Sequence, residues 1–194
     1  MNYRAAFALI AALTLSACGL NSVPTAEENA KAKWADVENY YQRRADLIPN
    51  LVATVKAAGA QEKSILVEVT QARSAASQIK VSPDELTDPA KVEAYERAQA
   101  GLTLSLQRLQ EAYPELKSQE NYKVLMDQLE GTENRISTAR HDYNGAVQSY
   151  NTTIRTFPDA IGAKIFYGAK PMTPFKAVTP GAEVAPTVNF GNSN

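Results

Sequence analysis

The supply of side chains able to do chemistry is narrow in this chain of 194 residues, which carries a single histidine, His141, and a single cysteine, Cys18. A carboxylate-bridged metal site on helices needs Glu-x-x-His spacing, so that both ligands leave one helix face together. The residue three before His141 is Thr138, and that spacing does not occur. Glu130 and Glu133 stand one helical turn apart, but two carboxylates alone read as a solvated or salt-bridged face. His141 and Asp142 are no catalytic pair, because adjacent residues on a helix point apart. Neither a nucleophile elbow, nor H-E-x-x-H, nor a phosphate-cradling glycine loop is present. The expectation is a protein with no catalytic, metal-binding or cofactor-binding residues, and not an enzyme.

Two polar constellations remain. In the first, Arg43, Arg44 and Asp46 precede Pro49 and Asn50. These residues suit a partner-binding patch, or an intrahelical set in which Arg43 reaches one turn to Glu38 or Asp46. Pro49 lies within a helical pattern. It should free the Ala45 carbonyl and kink the helix, with Asn50 or polar groups of the long fourth helix taking that carbonyl up. In the second, Tyr143-Asn144 and Tyr150-Asn151 repeat seven residues apart and, with Asn134, Arg135, Arg140 and Arg155, form a polar stripe. That stripe reads as a network fixing helix register, or as a docking face for another protein.

Cys18 has a different context. Arg4 precedes an apolar run from Ala5 to Leu15, too short to span a bilayer, which takes roughly 20 residues. Leu15-Ser16-Ala17-Cys18 follows and resembles the bacterial lipobox, in which cleavage before the cysteine is coupled to its acylation. A lone cysteine makes no internal disulfide. The alternative is an ordinary signal peptide with an incidental cysteine. On the lipobox reading residues 1–17 are a signal peptide, and Cys18 anchors the mature chain to membrane lipid. Residues 18–26 are then the lipidated cysteine and a short tether, and the protein faces outside the cytoplasm at the cell membrane or outer membrane. Acyl chains on one residue anchor firmly, each buried methylene adding about 0.8 kcal/mol.

These groups must be positioned by helices. Apolar residues make up 44% of the chain, which argues against wholesale disorder, and the net charge of −1 is well mixed, which argues against nucleic acid as a partner. From Glu27 to Ala58, Trp34, Tyr41, Ile48 and Val55 recur every seven residues; a second row of Val37, Leu51 and Ala58 is broken only by Arg44. A second helix is predicted over Gln61 to Ile79, then a connection containing Pro83. A third runs from Asp88-Pro89, a cap followed by a first-turn proline, to about Ala112. The fourth is predicted from Gln119 to Phe157 behind a Ser118 cap. Tyr122, Leu129, Ile136, Tyr143, Tyr150 and Phe157 hold one heptad position, and the partner row is interrupted by Glu133 and Arg140. The fold class expected is all-α: an elongated antiparallel four-helix bundle over residues 27–158, with a Pro/Gly-rich extended tail over 159–194.

Several motifs carry a resemblance. Arg43 to Val52 (RRADLIPNLV), Thr70-Gln71-Ala72-Arg73 and Ala112 to Lys117 (AYPELK) are followed by Leu129 to Ile136 (LEGTENRI), Arg140 to Asn144 and Tyr150 to Pro158. Pro186 to Phe190 closes the set. Over residues 33–190 the chain resembles the LemA family. The resemblance implies a membrane-associated antiparallel helical bundle and no settled biochemical activity. Many family members carry an N-terminal transmembrane helix where this chain has a lipobox.

The function expected is a non-enzymatic structural or interaction role at a membrane surface, with an unidentified envelope protein as partner. A helical module holding a small apolar ligand is the alternative. An even number of antiparallel helices would return Phe157 to the membrane end. There Ile161, Ile165, Phe166, Tyr167 and Phe175, with Lys164, Lys170 and Lys176, suit a bilayer interface. In the competing reading Phe166 and Phe175 fold back over the helices as a strap.

Overall fold

A computed structural model describes residues 21–59 and 63–176. The lipobox, Cys18 and the Pro186–Phe190 motif lie outside them. Among the described residues the regular structure is all helical, with five α-helices: α1 (Ser22–Ala57), α2 (Lys63–Gln78), α3 (Pro89–Ala112), α4 (Glu120–Thr153) and the short α5 (Asp159–Gly162). Two 3-10 turns, Pro83–Thr87 and Pro114–Ser118, separate α2, α3 and α4, and a π turn, Ala163–Tyr167, follows α5.

The helix starts follow local chemistry. Asp88 caps α3 by accepting from the Ala90 N–H at 3.0 Å, with Pro89 at the first position. α1 begins at Ser22 and so takes in residues 22–26, which the sequence reading assigns to the tether. Pro24 falls within its first turn, where the backbone donors have no partner inside the helix and a proline costs little. Gly59, at φ 86°, follows the end of α1 in the left-handed conformation that suits glycine. Ser118 does not cap α4; its hydroxyl donates to Glu115 O within the preceding turn. α4 ends at Thr153, not Phe157, so five of the six heptad residues are buried and Phe157 is 82% exposed.

The helix pairing follows from particular contacts. Trp34 meets Tyr143 with ring centroids 5.3 Å apart, Arg44 meets Glu133 at 2.8 Å, and Ser22 meets Asp159 at 2.6 Å; ascending α1 therefore faces descending α4. Arg108 of α3 reaches Glu68 of α2 at 2.7 Å and Gln99 reaches the Ala76 carbonyl at 3.3 Å, so these two also run antiparallel.

The interior is divided in two. One apolar cluster gathers Trp34, Val37, Tyr41, Leu86, Tyr95, Ile136, Tyr143 and Tyr150 with Met172 and Phe175 of the tail. The other gathers Ile48, Leu51, Val55, Val69, Leu102, Leu109, Tyr122 and Leu129. Arg44 lies between them.

Candidate functional site

Arg44 is 1% exposed. Its Nη1 donates to Glu133 Oε2 and Thr103 Oγ1, each at 2.8 Å, and its Nη2 donates to Gln99 Oε1 at 2.7 Å and Gln99 O at 3.1 Å. The guanidinium carbon also sits 4.9 Å from the centre of the Tyr41 ring. Burying a guanidinium is expensive unless carboxylate and hydrogen-bond acceptors surround it, and the neighbouring helices α3 and α4 supply them here. The surface-patch reading of Arg43 and Arg44 is therefore corrected for Arg44, which points inward. Arg43 stays exposed, and Asp46 accepts from Gln42 at 2.7 Å instead of pairing with Arg43. Glu133, one of the two residues considered for a metal, is committed to Arg44. Glu130 remains on the surface.

Pro49 does sit inside α1. The Ala45 carbonyl it frees accepts from Nε of Arg73, on α2, at 2.7 Å. Exposed Asn50 does not serve it, and neither does α4. Sequence reasoning missed Arg73 because the bond joins residues on two helices and no local spacing announces it.

The Tyr-Asn stripe holds the chain's own tail. Asn144 donates from Nδ2 to Phe175 O at 3.0 Å and accepts from Phe175 N at 2.8 Å. Asn151 makes the same pair of bonds with Met172, at 2.9 and 2.8 Å. The Tyr143 hydroxyl donates to Thr173 O at 3.0 Å. Two turns of helix advance about 10.5 Å, and three residues of polyproline-like chain advance about 9 Å with side chains returning to the same side. The seven-residue repeat of α4 thus fits a three-residue repeat of the tail. Met172 and Phe175 are buried, and Pro171 and Pro174 face outward. Each backbone N–H from Met172 to Lys176 has an acceptor: Asn151, Leu86 O for Thr173, Asn144, and Glu96 Oε1 for Lys176; Pro174 has none to place.

The strap covers aromatic residues. Phe175 stacks on Trp34 at 5.4 Å and 18°, meets Tyr143 edge-on at 5.3 Å, and lies under Arg140 at 4.7 Å. Arg140, the other interruption of the α4 row, bonds Glu96 at 3.1 Å and Lys176 O at 2.9 Å. Glu96 is buried, which pushes its carboxyl above the usual range despite the opposing bond from Lys176 N and the Arg140 charge. Burial likewise pushes the Tyr95 and Tyr143 hydroxyls upward. The strap reading of the tail therefore holds for Phe175 and fails for Phe166, which is 68% exposed. Asn134 and Arg135 are exposed and stand apart from this ledge, lining a shallow depression with Asp36 and Tyr40.

Below the Arg44 layer a cleft of about 470 Å³ opens between α3 and α4, lined by Arg44, Leu106, Tyr122, Lys123, Met126 and Leu129 among others. Two buried polar atoms of its lining residues, Arg44 Nε and the Tyr122 hydroxyl, have no hydrogen-bond partner among the described residues. Burial pushes the Tyr122 hydroxyl upward.

Among the described residues no helix is long and apolar enough to cross a membrane, and no group of three or more His, Cys, Asp or Glu could hold a metal ion. The chain is 32% identical over 157 residues to magnetosome protein MamQ 2 of Paramagnetospirillum magneticum, covering 71% of this chain and 58% of that protein. It is 30% identical over 169 residues to magnetosome protein MamQ of Magnetospirillum gryphiswaldense, covering 77% of this chain and 62% of that protein. The chain thus spans about three-fifths of the length of these relatives. The sequence model of the LemA family matches residues 33–190, which takes in most of α1, the other three long helices and the strap, and the chain belongs to the LemA family.

Proposed function

We propose that the protein is a non-enzymatic component of the bacterial envelope, held at a membrane by acylated Cys18 and presenting the outer faces of four long antiparallel helices to another envelope protein. One observation carries the non-enzymatic part. The five buried polar or charged side chains among the described residues, Arg44, Glu96, Gln99, Ser105 and Thr132, all hydrogen-bond within the chain. A reactive group must keep a face free for substrate, whereas Arg44, Gln99 and Glu96 join helix to helix or tail to bundle, and Ser105 and Thr132 return their hydroxyls to carbonyls of their own helices. The lipobox at Leu15–Cys18 supports the anchor, and the start of α1 at Ser22 keeps the bundle within about 14 Å of that cysteine.

Metabolic labelling with a fatty-acid analogue tests this reading. The wild-type chain takes the label and sediments with membranes, and Cys18→Ser loses both. Label retained by Cys18→Ser, or absent from the wild type, overturns the anchor.

A second reading rests on the cleft. Its apolar wall of Leu106, Met126 and Leu129, beside the unsatisfied Tyr122 hydroxyl, suits a small, mostly apolar ligand with one hydrogen-bonding group. A fluorescent fatty-acid probe whose binding is abolished by Met126→Trp supports it, and equal binding by both chains rules it out.

A further inference from the structure

Eight large apolar side chains among the described residues are exposed, and five of them fall within eleven residues: Phe157, Ile161, Ile165, Phe166 and Tyr167. The remaining three, Val67, Leu104 and Val124, lie on three different helices. Soluble surfaces scatter such residues singly, and a contiguous group marks a contact site. The local build is unusual. Gly162 and Ala163 are buried against the bundle, so α5 and the π turn are fixed from within, and their outward faces are apolar where a surface helix is ordinarily polar. Gly168, at φ 55°, then redirects the chain into the strap. The apolar corner is thus held between the end of α4 and the strap.

Its position identifies what it meets. The Ser22 hydroxyl at the start of α1 donates to the Asp159 carboxylate of α5 at 2.6 Å. The corner therefore adjoins the point where the chain enters the bundle, four residues after Cys18. Three exposed cations flank it along the chain, Arg155, Lys164 and Lys170, and the one carboxylate between Ile154 and Lys170, Asp159, is engaged by Ser22. Aromatic and aliphatic side chains rimmed by cations suit the headgroup and upper acyl region of a bilayer with anionic lipid.

We propose that the corner formed by Phe157, Ile161, Ile165 and Phe166 inserts into the interfacial layer of the bilayer, a second membrane contact beside the N-terminal anchor that sets the bundle's orientation on the surface. The proposal rests on the membrane-anchored reading above but does not need the acyl group, because the apolar residues and cations are a binding surface of their own.

Phe166→Trp in the full chain reports on the corner, since the native Trp34 is fully buried and acts as an internal reference. The vesicles are phosphatidylcholine with one part in four phosphatidylglycerol, with or without brominated acyl chains. In the membrane-anchored protein, the emission added by the introduced tryptophan is expected to be blue-shifted and to fall at least twofold in brominated vesicles, with the wild-type emission unchanged. Added emission of equal intensity in both vesicles, in protein that floats with them, overturns the corner and leaves the anchor standing. A Cys18→Ser chain that floats as fully as wild type, and is released by Phe157→Ser with Ile165→Ser, overturns the anchor and upholds the corner. A chain that floats in neither form overturns both. A blue shift that grows with protein concentration in the absence of vesicles assigns the corner to a second copy and overturns the lipid proposal.

Discussion

Nη1 of Arg44 lies 2.8 Å from Oε2 of Glu133, and these are residues that interrupt the apolar rows of α1 and α4. Two apparent defects in two helical patterns are one ion pair. Arg44 is 1% exposed and the Glu133 side chain 48%, so the arginine bears most of the desolvation. Arg44→Met removes the donor to Gln99 Oε1 and Thr103 Oγ1 and leaves Glu133 without its partner, and is expected to lower stability by about 3 kcal/mol. Glu133→Gln keeps an acceptor at a half-exposed position and is expected to cost about 1 kcal/mol or less. Urea denaturation distinguishes the two, and equal losses would show that the charge pair itself dominates.

The Arg73–Ala45 bond predicts a specific rescue. Arg73→Ala strands the carbonyl that Pro49 has already deprived of its helical donor, at a cost of about 1–2 kcal/mol. Pro49→Ala returns an N–H to that carbonyl, so Arg73→Ala should cost about 1 kcal/mol less in that background. A double-mutant cycle with no coupling would refute the account.

The strap can be loosened without touching the apolar core. Asn144→Asp keeps the acceptor for Phe175 N but replaces the donor to Phe175 O with a carboxylate oxygen facing a carbonyl. A loss of about 1–2 kcal/mol is expected, with faster hydrogen exchange at Met172, Thr173 and Phe175. Unchanged exchange at these three amides would mean the strap is held by Phe175 packing alone.

Two carboxylates should give opposite pH signatures. Burial raises the Glu96 pKa above the unfolded value of 4.5, so the native state holds its proton longer. Its contribution to stability is present below pH 4.5 and lost as pH rises through the folded value, and Glu96→Gln should remove that slope. Glu85 is lowered to about 2, first by its bond to Lys91 and then by the Ser82 N–H, which donates at 2.9 Å. Its contribution is present above pH 4.5 and lost as pH falls towards 2. Side-chain carboxyl titration by NMR checks both, and shifts of the same sign would contradict the structure.

The helices were legible because a buried face on an α-helix must repeat at its own period. Trp34 to Val55 and Tyr122 to Tyr150 do so at every seventh residue, and all of these are buried. Phe157 continued the count past the end of the helix, where the period no longer carries meaning. Arg44, Glu133 and Arg140 looked like breaks in the pattern because a one-dimensional row cannot show that a break on one helix faces its complement on another. The strap was half legible. Asn144 and Asn151 announced a repeat, but the partner segment has a period of three, marked by Pro171 and Pro174, and a search for helical spacing passes over it. Arg73 stood within a family motif, but no spacing tied it to the carbonyl that Pro49 frees.

The two asparagine clamps also set a rule for length. Seven residues of α4 are matched to three of the tail, so adding or deleting one residue between Met172 and Phe175 puts one backbone amide out of reach of its asparagine and swings Phe175 away from Trp34. The turn from Arg155 to Pro158, ahead of α5, is under no such rule. All four of its residues are exposed, so it can lengthen without disturbing either clamp. The chain therefore has one segment where its ruler is rigid and a neighbouring one where it is elastic, and insertions should be tolerated only in the second.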